Sequence, residues 1–63
     1  MIKSFKYNIG DLMECVEASN DICLIIKRYV LHDHMNLYEL KSAKFNTTYY
    51  IPEYIIDRHY IKK

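Results

Sequence analysis

The chain has 63 residues, with nine Lys or Arg against eight Asp or Glu and a formal net charge of +1. That length allows one small domain with little interior for a catalytic pocket, and that charge excludes the broad basic excess of an electrostatic nucleic-acid binder. Hydrophobic residues make up 51% of the chain and seven residues are Tyr, so aromatic packing, together with a partner surface, is the expected compensation for a small core.

The two cysteines, Cys15 and Cys23, form neither a disulfide framework nor a CxxC pair. Free, buried thiols in a reducing compartment are expected. The first residues, MIKSFK, lack the apolar stretch of a secretion signal. The longest apolar run, residues 22–26, is far short of the roughly 20 residues of a membrane span. A soluble, intracellular protein is the expectation. Ile, Lys, Tyr, Asn, Phe and Met fill about half the chain; their codons are AT-rich, as in an AT-rich bacterium or its virus.

Residues 1–8 (MIKSFKYN) alternate, with Phe5, Tyr7 and Ile9 on one parity and Lys6 and Asn8 on the other. This predicts an extended arm or a lead-in strand. Gly10, the only glycine, precedes Asp11 and marks a turn. From there Leu12, Glu14 and Val16 alternate with Met13, Cys15 and Glu17, and residues 11–17 read as the first strand. Residues 18–21 (ASND) are a loop, because Asn and Asp bond their own backbone and tolerate left-handed positions. Residues 22–31 are rich in β-branched and aromatic types and read as the second strand. The first half of this strand is apolar on both parities, as in a central strand covered on both faces. A helix is the rival reading, and the β-branched content tells against it.

Residues 32–36 (HDHMN) form a polar hairpin loop, residues 37–41 the third strand, and residues 42–44 (SAK) a second turn. The Thr, Tyr and Ile content of residues 45–51 predicts the fourth strand. Pro52 lacks a donor and fixes φ, so residues 52–54 predict a single 3₁₀ turn. Residues 55–61 then close the sheet as a fifth strand, whose polar positions 57–59 indicate an edge. Five short strands on short loops predict an all-β fold, a small five-stranded barrel, since closure removes exposed edges. The expected organisation is an arm or lead-in strand at 1–8, a barrel at 9–61 and a basic tail at 62–63.

Four segments carry a resemblance. They are Ile9-Gly10-Asp11-Leu12-Met13, Asp21-Ile22-Cys23-Leu24-Ile25, Tyr38-Glu39-Leu40 and Ile51-Pro52-Glu53-Tyr54-Ile55. Their succession resembles the layout of small SH3-like barrels, many of them encoded by tailed bacteriophages, and it covers residues 9–56. Asn20-Asp21 stands where the family usually has a glycine before the second strand. The resemblance implies an SH3-like barrel that serves as a capsid, neck or tail accessory part or as a small binding module. A non-enzymatic viral structural or accessory protein that docks on a protein partner is therefore expected, in the cytoplasm of the host cell or in the virion. A nucleic-acid-binding barrel and a host-takeover or inhibitor protein are the alternatives.

The candidate partner-binding surface is Tyr29, Tyr38, Tyr49, Tyr50 and Tyr54, accompanied by Lys27 and Arg28. SH3-like barrels use such aromatics to hold extended segments, and nucleic-acid barrels stack bases on aromatics beside cations, for which Lys27, Arg28, Lys41 and Lys44 are the candidates. Tyr49 and Tyr50 are adjacent, so a regular strand turns one to the core and one to the surface. His32-Asp33-His34 has the i, i+2 spacing of two metal ligands but lacks a third and fourth, with His59 the only other histidine; it reads as a solvated hairpin tip. Neither cysteine has a flanking base that would activate it. Asp11, Glu14 and Glu17 read as solvated strand positions rather than paired catalytic carboxylates. No catalytic residue, metal or cofactor is expected.

Overall fold

The computed structural model describes residues 4–17, 21–32 and 34–63. Five strands and one helix follow in the order β1 (Leu12–Cys15), β2 (Ile22–Val30), β3 (Asn36–Ser42), β4 (Thr47–Pro52), α1 (Glu53–His59) and β5 (Tyr60–Lys62). All neighbouring strands are antiparallel, in the spatial order β4-β3-β2-β1-β5. The expected five-stranded β fold is present. The sheet stays open, because β4 and β5 are its two edges and do not pair with each other. Of the expected loop at residues 18–21, residues 18–20 lie outside the described residues, as do residues 1–3 and Asp33.

The register sorts the side chains onto two faces. Met13 of β1 opposes Cys23 of β2, and Ile25 opposes Leu40 of β3, which opposes Tyr49 of β4. These rows form the inner face. Its fully buried hydrophobic side chains are Met13, Cys23, Ile25, Tyr38 and Leu40 from the strands and Ile56 from α1, with Phe5, Tyr7, Tyr49, Ile51 and Tyr60 packed around them; the polar Asn36 and Ser42 of β3 are fully buried beside them.

The two-parity apolar pattern of β2 does not mark double coverage: Cys23 and Ile25 are buried on the inner face, whereas Leu24 is exposed on the outer one. The pairing with β3 shifts between Ile25 and Lys27, a β-bulge that leaves Ile26 as an extra residue. Such a bulge reverses the in–out alternation of the strand. Before it, the odd residues Cys23 and Ile25 face inward. After it, Arg28 pairs with the buried Tyr38, while Lys27 and Tyr29 turn outward.

Residues 53–59 form an α-helix where a 3₁₀ turn at 52–54 and a strand at 55–61 were expected. Pro52 sits at the N-cap with φ −65° and ψ 153°, which suits its fixed ring. Glu53 lies in the first turn and Arg58 and His59 in the last, so the charges complement the helix dipole. One face of this short helix buries Ile56 in the core. That burial outweighs the weak β preference of the β-branched pair Ile55-Ile56. The fifth strand is correspondingly short. Lys62, expected as part of a basic tail, is its last residue, and the Lys63 N–H donates to Leu12 O at 2.8 Å.

Candidate functional site

Residues 4–8 lie across the inner face. The rings of Phe5 and Tyr7 meet Tyr38 edge-on, at 5.8 Å and 5.6 Å between centroids. Their half-buried placement against exposed Lys6 and Asn8 follows the alternation of the sequence, whereas Ile9 is exposed. The Tyr38 hydroxyl accepts the N–H of Lys6 (3.1 Å) and of Tyr7 (3.2 Å) and donates to Glu53 Oε2. The same carboxylate oxygen accepts the Lys6 N–H at 2.9 Å and Asn36 Nδ2 at 3.2 Å. Asn36 Nδ2 also donates to Ser4 O at 2.9 Å. Arg28, turned inward by the bulge, stacks its guanidinium 4.5 Å from the Phe5 ring and donates to Tyr7 O at 3.1 Å. Lys6 Nζ and the Tyr7 hydroxyl both reach Asp57, at 2.9 Å and 2.5 Å.

The electrostatics of this clamp follow from those bonds. Burial would raise the Glu53 carboxyl; the bonds from Tyr38, the Lys6 N–H and Asn36 outweigh it and hold the group below its ordinary value. Burial, reinforced by the bond to Glu53, pushes Tyr38 up to about 12. Hydrogen bonds from Tyr7 and Lys6 hold Asp57 below the usual carboxylate value. Tyr7 is raised, first by burial and then by its bond to Asp57. The clamp therefore keeps two ionised carboxylates, on Glu53 and Asp57, under two neutral phenols. Among the described residues Asn36 Oδ1 is buried without a partner; the other polar groups of the clamp satisfy one another, which is the chemistry of a fastening.

The outer face is assembled differently. Leu12, Leu24, Lys41 and Thr48 form one row across four strands. Ile22, Glu14 and Ile61 form a row at the β5 side. Lys27, Glu39 and Tyr50 form a third row, and Tyr29, Leu37 and Pro52 a fourth. The Tyr29 hydroxyl donates to Glu39 Oε1 at 2.5 Å, and that bond, with some burial, pushes the phenol up to about 12. Lys27 stands directly across from the same carboxylate. Leu12, Leu24 and Ile61 are exposed, and Tyr50 is 62% exposed. The face is thus apolar and aromatic, with Lys27 opposed by Glu39 and with Lys41 standing between Leu24 and Thr48.

The seven expected surface residues are divided by this arrangement. Tyr29, Tyr50 and Lys27 share the outer face. Tyr38 is fully buried, Tyr49 is half-buried against the core, and Arg28 is engaged with Phe5 and Tyr7. Tyr54 is 55% exposed on α1. Of the adjacent pair, Tyr49 faces the core and Tyr50 the surface. Sequence reasoning passed over Glu53 and Asn36, whose importance depends on the arm, and over Leu12, Leu24 and Ile61. Strand parity from Met13 and Cys23 was the available signal for Leu12 and Leu24.

Several of the remaining titratable groups are engaged within the fold. Burial, with the neighbouring Asp21, pushes the Cys23 thiol up to about 11, so it is protonated at neutral pH and a poor nucleophile. Asp21 is itself buried and accepts the Ser42 hydroxyl at 2.6 Å. Both cysteines are free. His59 Nδ1 pairs with Glu17 Oε2 at 2.7 Å. His32 and His34 are exposed on the β2–β3 loop, with Asp33 between them outside the described residues. Among the described residues, no group of three metal-ligating side chains and no cavity is found. No protein-family model, curated protein or solved structure matches the chain.

Proposed function

We propose that this chain is a non-enzymatic docking module that binds a protein partner through the outer face of its sheet. The observation that carries the reading is the composition of that face: exposed Leu12, Leu24, Tyr29, Tyr50 and Ile61, with Lys27 set across from Glu39. Protein interfaces are enriched in aromatics and depleted in uncompensated charge at their centre. A nucleic-acid surface needs cations beside its stacking rings. Here Arg28 is turned inward and Lys27 faces a carboxylate that also binds Tyr29, which leaves Lys41, between Leu24 and Thr48, as the cation of this face without an opposed carboxylate among the described residues.

In this reading the domain is an SH3-like fold of the kind encoded by tailed bacteriophages, acting as a particle component or accessory factor. Five antiparallel strands with one short helical segment before the last support that layout. Two measurements test the proposal. A photo-crosslinking residue at Leu24 or Tyr29, both central on the outer face, should yield one discrete protein adduct in producing cells, and the same residue at Asn46 on the hairpin tip should yield none. Adducts formed equally from all three positions, or retention on single-stranded DNA or RNA at low salt, would overturn the docking reading. Purified particles of the virus that encodes the chain should contain it at fixed copy number; its absence from them would favour a host-directed inhibitor.

A further inference from the structure

The two edges of the open sheet are unequally protected. Natural sheets blunt their edges with short strands, charged side chains, proline or bulges. β5 has three residues, carries Lys62 and is followed by Lys63. β4 has six residues, TTYYIP, without a charge, and it pairs with β3 over six consecutive positions without a bulge. Its single proline is the last residue, which leaves residues 47–51 open. Among the described residues, no backbone bond reaches β4 from outside the ladder with β3.

We propose that β4 pairs antiparallel with β4 of a second copy about a two-fold axis, joining two open sheets into one. A two-fold axis through the edge keeps inner residues opposite inner residues. Overlap decides the register. Centring on Tyr49 sets residues 47–51 of one copy opposite residues 51–47 of the other, leaves Pro52 outside the pairing and places Thr48 opposite Tyr50 of the second copy twice. Centring on Tyr50 brings Pro52, which has no backbone donor, opposite Thr48 of the second copy. The Tyr49-centred register is therefore selected. A net charge of +1 sets little repulsion against association. The result places two outer faces side by side on one continuous sheet.

The test is sedimentation equilibrium across a concentration series. The unmodified chain forms a dimer. The double variant T48K/Y50K sets like charges opposite each other at two symmetric positions and weakens the dimer by about tenfold or more. The variant T48E/Y50K sets each introduced carboxylate opposite an introduced ammonium of the second copy and retains the dimer. Within one copy Thr48 stands opposite Lys41 and Tyr50 opposite Glu39, so T48K also sets two lysines across from each other in the monomer; circular dichroism and thermal melts at a monomeric concentration separate a loss of fold from a loss of association. A chain that is monomeric throughout, or two double variants in the same association state, overturns the proposal. Crosslinks from Leu24 and Tyr29 on the central strand report on the docking face independently of this edge.

Discussion

At the scale of single residues, two positions bear more than their size suggests. Gly10 closes the turn in which the Asp11 N–H donates to Asn8 O at 3.1 Å and the Asp11 carboxylate accepts the Asn8 N–H at 2.9 Å. Its φ is +96°, and an added Cβ would meet nothing within 4 Å. The constraint is therefore in the backbone and not in packing. Gly10→Val should cost about 1 kcal/mol or more, a fall in Tm of about 4–8 °C per kcal/mol for a domain of this size. Gly10→Asn should cost less, because Asn tolerates positive φ. Thermal melts of the two variants check this, and equal losses would place the cost elsewhere. Tyr38 is the second position. Its hydroxyl ties two arm N–H groups to the Glu53 carboxylate. Tyr38→Phe removes all three bonds while keeping the ring contacts with Phe5 and Tyr7. A loss of about 1–3 kcal/mol is expected. Amide exchange at Lys6 and Tyr7 should quicken while the β2–β3 ladder stays protected; unchanged exchange there would mean that the aromatic contacts alone hold the arm.

At the scale of elements, the strands were legible and their phase was not. Alternation and β-branched content mark β1 to β4 in the sequence, because both follow directly from a pleat with one buried face. The bulge at Ile26 leaves no such mark. It is defined by a register slip against β3, and with it goes the orientation of Arg28, Lys27 and Tyr29. The helix was missed for a related reason. Pro52, Glu53, Arg58 and His59 are ordinary start and stop signals, but Ile55-Ile56 suits a strand locally. Its helical state is supported by contacts distant in the chain, Ile56 in the core and Asp57 with Lys6 and Tyr7. The same distance hid the clamp. Of the site, Tyr50 and Tyr54 stand on the surface as tyrosines read from sequence can, whereas the register places Tyr38 inside, the bulge turns Arg28 inward, and both meet an arm whose docking no local rule announces. The bulge makes a testable claim. Arg28→Met keeps the side-chain stem but loses the guanidinium over Phe5 and its bond to Tyr7 O. Stability should fall by about 1–3 kcal/mol, with faster amide exchange confined to residues 5–8. Faster exchange across β2 and β3 instead would show that Arg28 supports the bulge itself.

At the scale of the whole molecule, arm, helix and sheet are joined by groups that titrate at both ends of the pH range. Glu17 is lowered, mainly by its hydrogen bond with His59, and Asp57 by its bonds from Tyr7 and Lys6. Glu53 is lowered because its three bonds outweigh its burial. A carboxyl lowered by folding contributes stability above its unfolded value and loses it as pH falls through the folded one. Stability should therefore drop as pH falls below the ordinary values of 4.5 for Glu and 3.8 for Asp. The alkaline side has the opposite sign. Cys23 is raised to about 11, and Tyr38 and Tyr29 to about 12. A group raised by folding keeps its proton longer in the native state, so stability is intact below the unfolded value and declines as pH rises toward the folded one. The decline should begin near the ordinary thiol value of 9.0 and steepen beyond the ordinary phenol value of 10.0. Urea unfolding midpoints across this range should trace a plateau with two falling limbs. Cys23→Ala should move the alkaline onset up to the phenols. Glu53→Gln should flatten the acid limb, since the neutral amide accepts the same N–H groups at every pH. An alkaline onset that stays at the thiol value in Cys23→Ala would assign that limb to a group other than the buried cysteine.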